Sequence, residues 1–197
     1  MKVPGKGNKK SNLLSAGSII PLAGIHIFTA FLLNSHYKDT AHICEGSGAF
    51  IHFHPEINSA GSFLNLKLGM EYNELLFMLL IVCGFLAAGM LLIYIIFLND
   101  FYGAGTWTLI SPILFMSASV GRLAERLIWE YTFDFIAVKN VGILDMCDVY
   151  LLGGCAVLLI TAAYFQNCET KKMRGLGREE KKTFRRELNK QFWKNLR

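Results

Sequence analysis

Asp134 and Asp148 lie between two strongly apolar stretches, in the segment 121–148 that reads GRLAERLIWEYTFDFIAVKNVGILDMCD. An ionised carboxylate at the edge of a bilayer is costly, so carboxylates there are rare and usually functional. Two of them near one membrane face can share a proton, one staying protonated while the other acts as a base toward water. Such a pair titrates as a unit, and the chemistry it offers is the water-activated hydrolysis of an aspartic peptidase. The plainer alternative makes Asp148 a helix N-cap and Asp134 a solvated loop residue. Composition and topology leave both readings open.

Further polar groups surround the pair in sequence. Arg122 and Glu125 are three residues apart and can pair on one helix face, which Arg126 shares. A structural ion-pair cluster is the favoured role for at least one of these arginines, and another could hold a peptide backbone or a lipid phosphate. His42, Cys44, His52 and His54 resemble a metal-ligand cluster, but their spacing fits no standard zinc pattern and surface histidines are the better reading. Cys83 and Cys155 read as small apolar fillers. Cys147 beside Asp148 reads as packing rather than as a nucleophile, and no intramolecular disulfide is expected. His26 is a lone polar group in an apolar run, expected to be hydrogen-bonded within a helix bundle.

Membrane helices must position these groups. Of the 197 residues 53% are hydrophobic, with a mean hydropathy of +0.36, and the apolar residues are concentrated in blocks. Spans are expected at about 13–34, 75–98, 106–128 and 148–165, near the ~20 residues needed to cross a hydrocarbon core of about 30 Å. The first is too long for a cleaved signal peptide and lacks a small-residue cleavage site, so it reads as retained. The N-terminal arm (Lys2, Lys6, Lys9, Lys10) and the tail after Phe165 are basic, whereas the 35–74 loop is acidic. The positive-inside rule then puts both termini in the cytoplasm and the loops 35–74 and 127–147 outside. Trp129, Tyr131 and Phe133 belong at the headgroup level, which draws Asp134 toward the interface.

In the 35–74 loop, Phe50–His54 suits a strand stopped by Pro55, and Asn58–Phe63 offers a turn and a second extended run. The fold class expected is an all-α membrane protein with four transmembrane helices and a small extracytoplasmic β-sheet cradle. The net charge of +5 points to the inner leaflet rather than to nucleic acid. The tail fits an amphipathic surface helix with Phe184, Leu188, Phe192 and Trp193 as its apolar side, the plain alternative being a solvated tail.

The order of these pieces resembles lipoprotein signal peptidase (signal peptidase II), a four-span membrane aspartic protease. Asn58–Phe63 (NSAGSF) is similar to that family's N-x-G-A-A-F segment, Gly121–Arg126 (GRLAER) to G-N-x-x-D-R, Phe133–Ile136 (FDFI) to V-D-F-I, and Leu144–Asp148 (LDMCD) to F-N-x-A-D. Arg122, Glu125 and Asp145 stand where the family has Asn, Asp and Asn. Its first-span D-x-x-T-K pattern is represented at best by His26 and Thr29, with Ala30 in place of lysine.

The resemblance implies a peptidase domain over 1–165 and a basic cytoplasmic tail over 166–197. It implies Asp134 and Asp148 as the catalytic pair, with Asn58, Gly61, Arg122, Glu125, Arg126 and Asp145 supporting the dyad or binding substrate. The implied reaction removes the signal peptide from a diacylglyceryl-modified prolipoprotein at the outer face of the cytoplasmic membrane. The expected partners are that peptide and membrane lipids, not nucleic acid. The chain is expected to act as a monomer without metal or organic cofactor. From another class, a non-catalytic lipopeptide-binding relative is recommended by the altered residues Arg122, Glu125 and Asp145.

Overall fold

The computed structural model describes residues 17–37, 49–58 and 73–195. In chain order these form α1 (Ile19–Tyr37), β1 (Ile51–Asn58), α2 (Glu74–Tyr102), a 3-10 turn (Thr106–Leu109), α3 (Ile110–Trp129), β2 (Thr132–Val138), β3 (Gly142–Leu144), α4 (Met146–Lys172) and α5 (Arg178–Asn195). Among the described residues, α1, α2, α3 with its leading turn, and α4 are long and apolar enough to cross a membrane. The expected fold class is therefore observed: a mostly helical chain with four candidate spans and a small three-stranded sheet.

The second helix is longer than its expected span. Its start is capped by Asn73, whose side chain accepts the Leu76 N–H at 3.0 Å, and it ends only at Gly103, with φ +69°. Asn99 is tolerated in its last turns because its side-chain oxygen accepts the Thr108 hydroxyl at 2.7 Å. Leu75, Leu79, Leu80 and Leu86 point outward, as suits a helix whose solvent is lipid.

Among the described residues, the third helix buries the most polar side chains of the four because it is the central one, packed against α1, α2 and α4. Its Ser111, Ser117, Glu125 and Arg126 are all buried against protein. Facing it, α1 presents the stripe Ala23, His26, Ala30 and Leu33, small residues letting the backbones approach. Between α3 and α4, a Cβ on Gly154 would stand 2.6 Å from the Phe115 ring. Gly154 thus serves close packing, whereas a Cβ on its neighbour Gly153 would meet Leu114 only at an ordinary 3.7 Å.

Ile95, Leu98, Leu109, Ile113 and Phe165 close one end of the bundle with an apolar cluster. At the other end lies the antiparallel sheet, in the order β1-β2-β3, with Asn58 opposite Thr132, Glu56 opposite Asp134 and Ile136 opposite Leu144. Two local expectations are corrected here. Pro55 does not stop the first strand; the register shifts between Phe53 and Glu56, and this irregularity accommodates a residue with no N–H to donate. Residues 132–138 are a central strand rather than a loop. The second extended run beyond Asn58 falls outside the described residues.

The tail helix α5 folds back on the C-terminal part of α2. Phe192 packs edge-on to Tyr94 and Phe97, at centroid distances of 5.1 and 5.4 Å, and Phe184 lies 6.1 Å from Phe101. Arg185 pairs with Glu169 of α4 at 2.7 Å. Of the expected apolar side, Phe184, Leu188 and Phe192 do turn inward, whereas Trp193 is 60% exposed.

Candidate active site

At the sheet end of the bundle, two elements deliver three acids to one place. Strand β2 carries Asp134, and the start of α4 carries Asp145 just before its first residue and Asp148 in its first turn. One carboxylate oxygen from each of these three residues lies within 4.8 Å of the others. Asp134 and Asp148 are thus neighbours in space, although they differ sharply in setting. Asp134 is only 6% exposed, while the Asp148 side chain is 31% exposed.

Asp134 is held from both sides. Its Oδ2 accepts the Asn58 side-chain N–H at 2.8 Å, across the β1–β2 pairing. The preceding residue, Phe133, donates its backbone N–H to Glu125 Oε1 at 2.8 Å. The other Asp134 oxygen, Oδ1, is buried and has no hydrogen-bond partner among the described residues. Burial raises the Asp134 carboxyl to about 7; nearby Asp145 also raises it, and the Asn58 hydrogen bond opposes the rise.

Asp148 is not the helix N-cap. That position belongs to Asp145, whose Oδ1 accepts the Asp148 N–H at 2.9 Å, while Asp148 Oδ2 accepts the Asp145 N–H at 3.2 Å. This reciprocal capping box fixes the Asp148 side chain relative to the helix axis. Asp145 itself is fully buried, which requires compensation. Arg122 supplies it: its Nη2 donates to Oδ1 at 3.0 Å, and its Nη1 stands in an ion pair 2.8 Å from Oδ2. The same Nη2 reaches Asp148 Oδ1 at 3.2 Å, and Nη1 stands 3.8 Å from Glu125. Fork geometry of this kind suits guanidinium and no other side chain.

Glu125 extends the network inward to His26, whose Nε2 lies 3.1 Å from Glu125 Oε2. The lone histidine of the first span is therefore hydrogen-bonded within the bundle. Gly121 makes this approach possible, because a Cβ there would stand 2.7 Å from the His26 ring and 3.2 Å from Cys147 Sγ. Arg126 reaches backbone carbonyls and an aromatic ring. It donates to the Glu130 carbonyl at 2.8 Å and the Asn58 carbonyl at 3.5 Å, and its guanidinium lies 5.2 Å from the Phe77 ring centre. It ties the end of α3 to the strand from which Asn58 reaches Asp134.

Of the expected site residues, Asn58, Arg122, Glu125, Asp134, Asp145 and Asp148 converge, and Arg126 braces them from one side. Gly61, His42 and Cys44 lie outside the described residues. His52 and His54 stack edge to face at 6.2 Å, and among the described residues neither joins a group of three metal-ligating side chains. Two such groups do occur: His26 with Asp145 and Cys147, and Asp134 with Asp145 and Asp148. In the second the positive charge is already supplied by Arg122. His26 is the member of the network that sequence alone did not single out for the site. Its only signal was being a polar residue on a stripe of alanines, and its partner is 99 residues away.

Clustered carboxylates thus stand at the sheet end of a bundle of four candidate spans, and solved structures agree at the level of fold. Two bacterial membrane enzyme structures determined by the in meso method, at 1.9 Å and 2.3 Å resolution, resemble the chain. The first has a TM-score of 0.53 at 15% identity, covering 74% of this chain and 92% of its own. The second has a TM-score of 0.54 at 13% identity, covering 82% and 93%. No curated protein matches by sequence. The sequence matches the peptidase family described as signal peptidase (SPase) II over residues 20–164. The chain belongs to the signal peptidase II family, which makes it a multi-pass membrane peptidase with a lipoprotein signal peptidase role.

Proposed function

We propose that the chain is an aspartic endopeptidase that removes signal peptides from diacylglyceryl-modified prolipoproteins, with Asp134 and Asp148 as its catalytic pair. The observation that carries this reading is a buried carboxyl, with one oxygen unpartnered among the described residues, within 4.8 Å of a partly exposed one at the mouth of the bundle. Asp134, raised to about 7, holds the shared proton, and Asp148 accepts one from water. The water oxygen bonds to the scissile carbonyl carbon as Asp134 protonates the carbonyl oxygen. Collapse of the diol breaks the C–N bond, the amine takes the proton held by Asp148, and the diol returns one to Asp134.

Asn58 fixes the Asp134 rotamer, and Arg122 with Asp145 fixes that of Asp148. The sheet cradles the peptide. By the positive-inside rule the site faces the outside of the cytoplasmic membrane and both termini face the cytoplasm; labelling of the tail from outside intact cells would reverse that topology. Purified Asp134→Asn and Asp148→Asn should each lose at least roughly a thousandfold in release of signal peptide from a lipidated precursor, while remaining folded. Substantial turnover by either variant rules out the dyad. Lipopeptide binding by a wild type without turnover at any pH would instead make the chain a non-catalytic relative.

A further inference from the structure

We infer that the outward face of α5 is a docking surface for the phosphates of anionic phospholipid headgroups. The helix has two opposed stripes. Phe184, Leu188, Gln191 and Phe192 face the protein, so the apolar side of this amphipathic helix is spent on α2 and does not enter lipid. On the opposite side Arg186, Asn189, Lys190, Trp193 and Lys194 follow at helical spacing and line a shallow hollow of about 450 Å³.

The level of this hollow follows from the length of α2. At about 1.5 Å per residue, its 29 residues extend roughly 43 Å, about 13 Å beyond a hydrocarbon core of ~30 Å. Lipid-facing leucines begin immediately at Leu75, whereas Asn99 and Asp100 lie near the other end. The surplus therefore projects from the C-terminal end, and Tyr94–Tyr102 stand in the headgroup layer, where tyrosines belong. Because Phe192 sits on Tyr94 and Phe184 on Phe101, α5 runs alongside that surplus within the same layer.

Charge then selects the occupant. The segment 178–195 carries seven basic residues against three acidic ones. Glu179 and Glu187 pair with Lys182 and Lys190, and Arg185 turns to Glu169. Arg178, Lys181, Arg186 and Lys194 have no acidic partner among the described residues. Unneutralised guanidinium and ammonium groups beside an exposed indole, at headgroup depth, fit a lipid phosphate with Trp193 against the glycerol region.

The test uses the full chain in a neutral detergent, with bound lipid counted by native mass spectrometry. The wild type should retain phosphatidylglycerol over phosphatidylcholine. Replacing Arg186 and Lys194 together by Gln should weaken phosphatidylglycerol retention by roughly twenty-five-fold, about fivefold per charge. Phosphatidylcholine binding and the thermal midpoint should be unchanged, since these side chains are exposed. Trp193→Ala should weaken both lipids by a few fold. Equal phosphatidylglycerol retention by the double variant overturns the proposal, as does tighter binding of a single-stranded oligonucleotide than of the anionic lipid.

Discussion

The two ends of the bundle are built from the same helices on opposite physical terms. Around Ile95, Leu98, Leu109, Ile113 and Phe165 the helices meet mainly through apolar side chains, with the hydrogen bonds from Thr108 to Asn99 and from Lys172 to the Phe101 carbonyl beside them. Around Glu125 they meet through a buried chain of ion pairs and hydrogen bonds, from His26 through Arg122 to Asp145 and Asp148. The apolar end, which reaches the headgroup layer, is held by close contact and by burial of its side chains. The polar end is held by partners that no lipid can replace. The difference teaches that specificity of assembly and the chemistry of the site reside together, at the end carrying the sheet.

The sharpest way to break this comparison is to remove Glu125. Its loss orphans the Phe133 N–H, His26 and one contact of Arg122 at once. Glu125→Ala should cost roughly 3–5 kcal/mol, the penalty of breaking a buried ion pair. It should also lose activity, because Phe133 then no longer holds Asp134 in place. Glu125→Gln keeps an acceptor for the Phe133 N–H and should recover part of the turnover. Leu98→Ala, at the apolar end, should cost roughly 2–5 kcal/mol for the lost burial and the cavity it leaves. Its pH–rate profile should match wild type. Thermal unfolding in one detergent together with pH-dependent cleavage would compare the pair; an altered profile in Leu98→Ala would unseat the division.

The protonation of Asp134 sharpens it further. The folded chain keeps a proton on Asp134 up to about pH 7, whereas an unfolded carboxyl releases it near pH ~3.9. Between those values the folded state binds more protons than the unfolded one. This residue therefore makes the protein more stable as pH falls from about 7 toward 4, with no further change above 7. The limiting size is a few kcal/mol, of order 1.4 per pKa unit. Asp134→Asn should flatten that part of the stability curve. In cleavage, activity should fall as pH rises through about 7, where Asp134 loses the proton it donates. A wild-type stability curve with the same slope as Asp134→Asn would show that the carboxyl is not held protonated.

What was legible in the chain divides along the same line. The spans could be read because their apolar residues are contiguous, and Asp134 and Asp148 stood out because charge there is rare. Strand β2 was less readable: TFDFIAV carries a charge and two phenylalanines and looks like an interfacial loop until β1 pairs with it. Pro55 argued locally for a strand end, and a register irregularity in the tertiary pairing overrode it. The capping role of Asp145 went to Asp148 in the sequence reading, since either residue can start a helix and only the backbone decides between them. The His26–Glu125 contact joins residues 99 apart, which no local pattern encodes. The pairing of Arg122 with Asp145, by contrast, follows from charge alone, because a buried extra acid needs a nearby base.

That last pair gives the smallest and most specific effect. Arg122 offsets a fully buried Asp145 and also touches Asp148, while its charge lowers, and that of Asp145 raises, the Asp134 carboxyl. Arg122→Ala leaves Asp145 uncompensated, so activity should drop by roughly tenfold to a hundredfold and the alkaline limb of the pH–rate profile should move upward. Asp145→Asn removes a repulsive charge yet keeps a side-chain oxygen able to cap the Asp148 N–H, so it should be tolerated and move that limb downward. Together the two changes should be less harmful than Arg122→Ala alone, with a coupling of roughly 0.5–3 kcal/mol as expected for residues in contact. Additive effects within error would mean that the ion pair does not form in the working enzyme, and the polar end would then be held by Glu125 and the capping box without it.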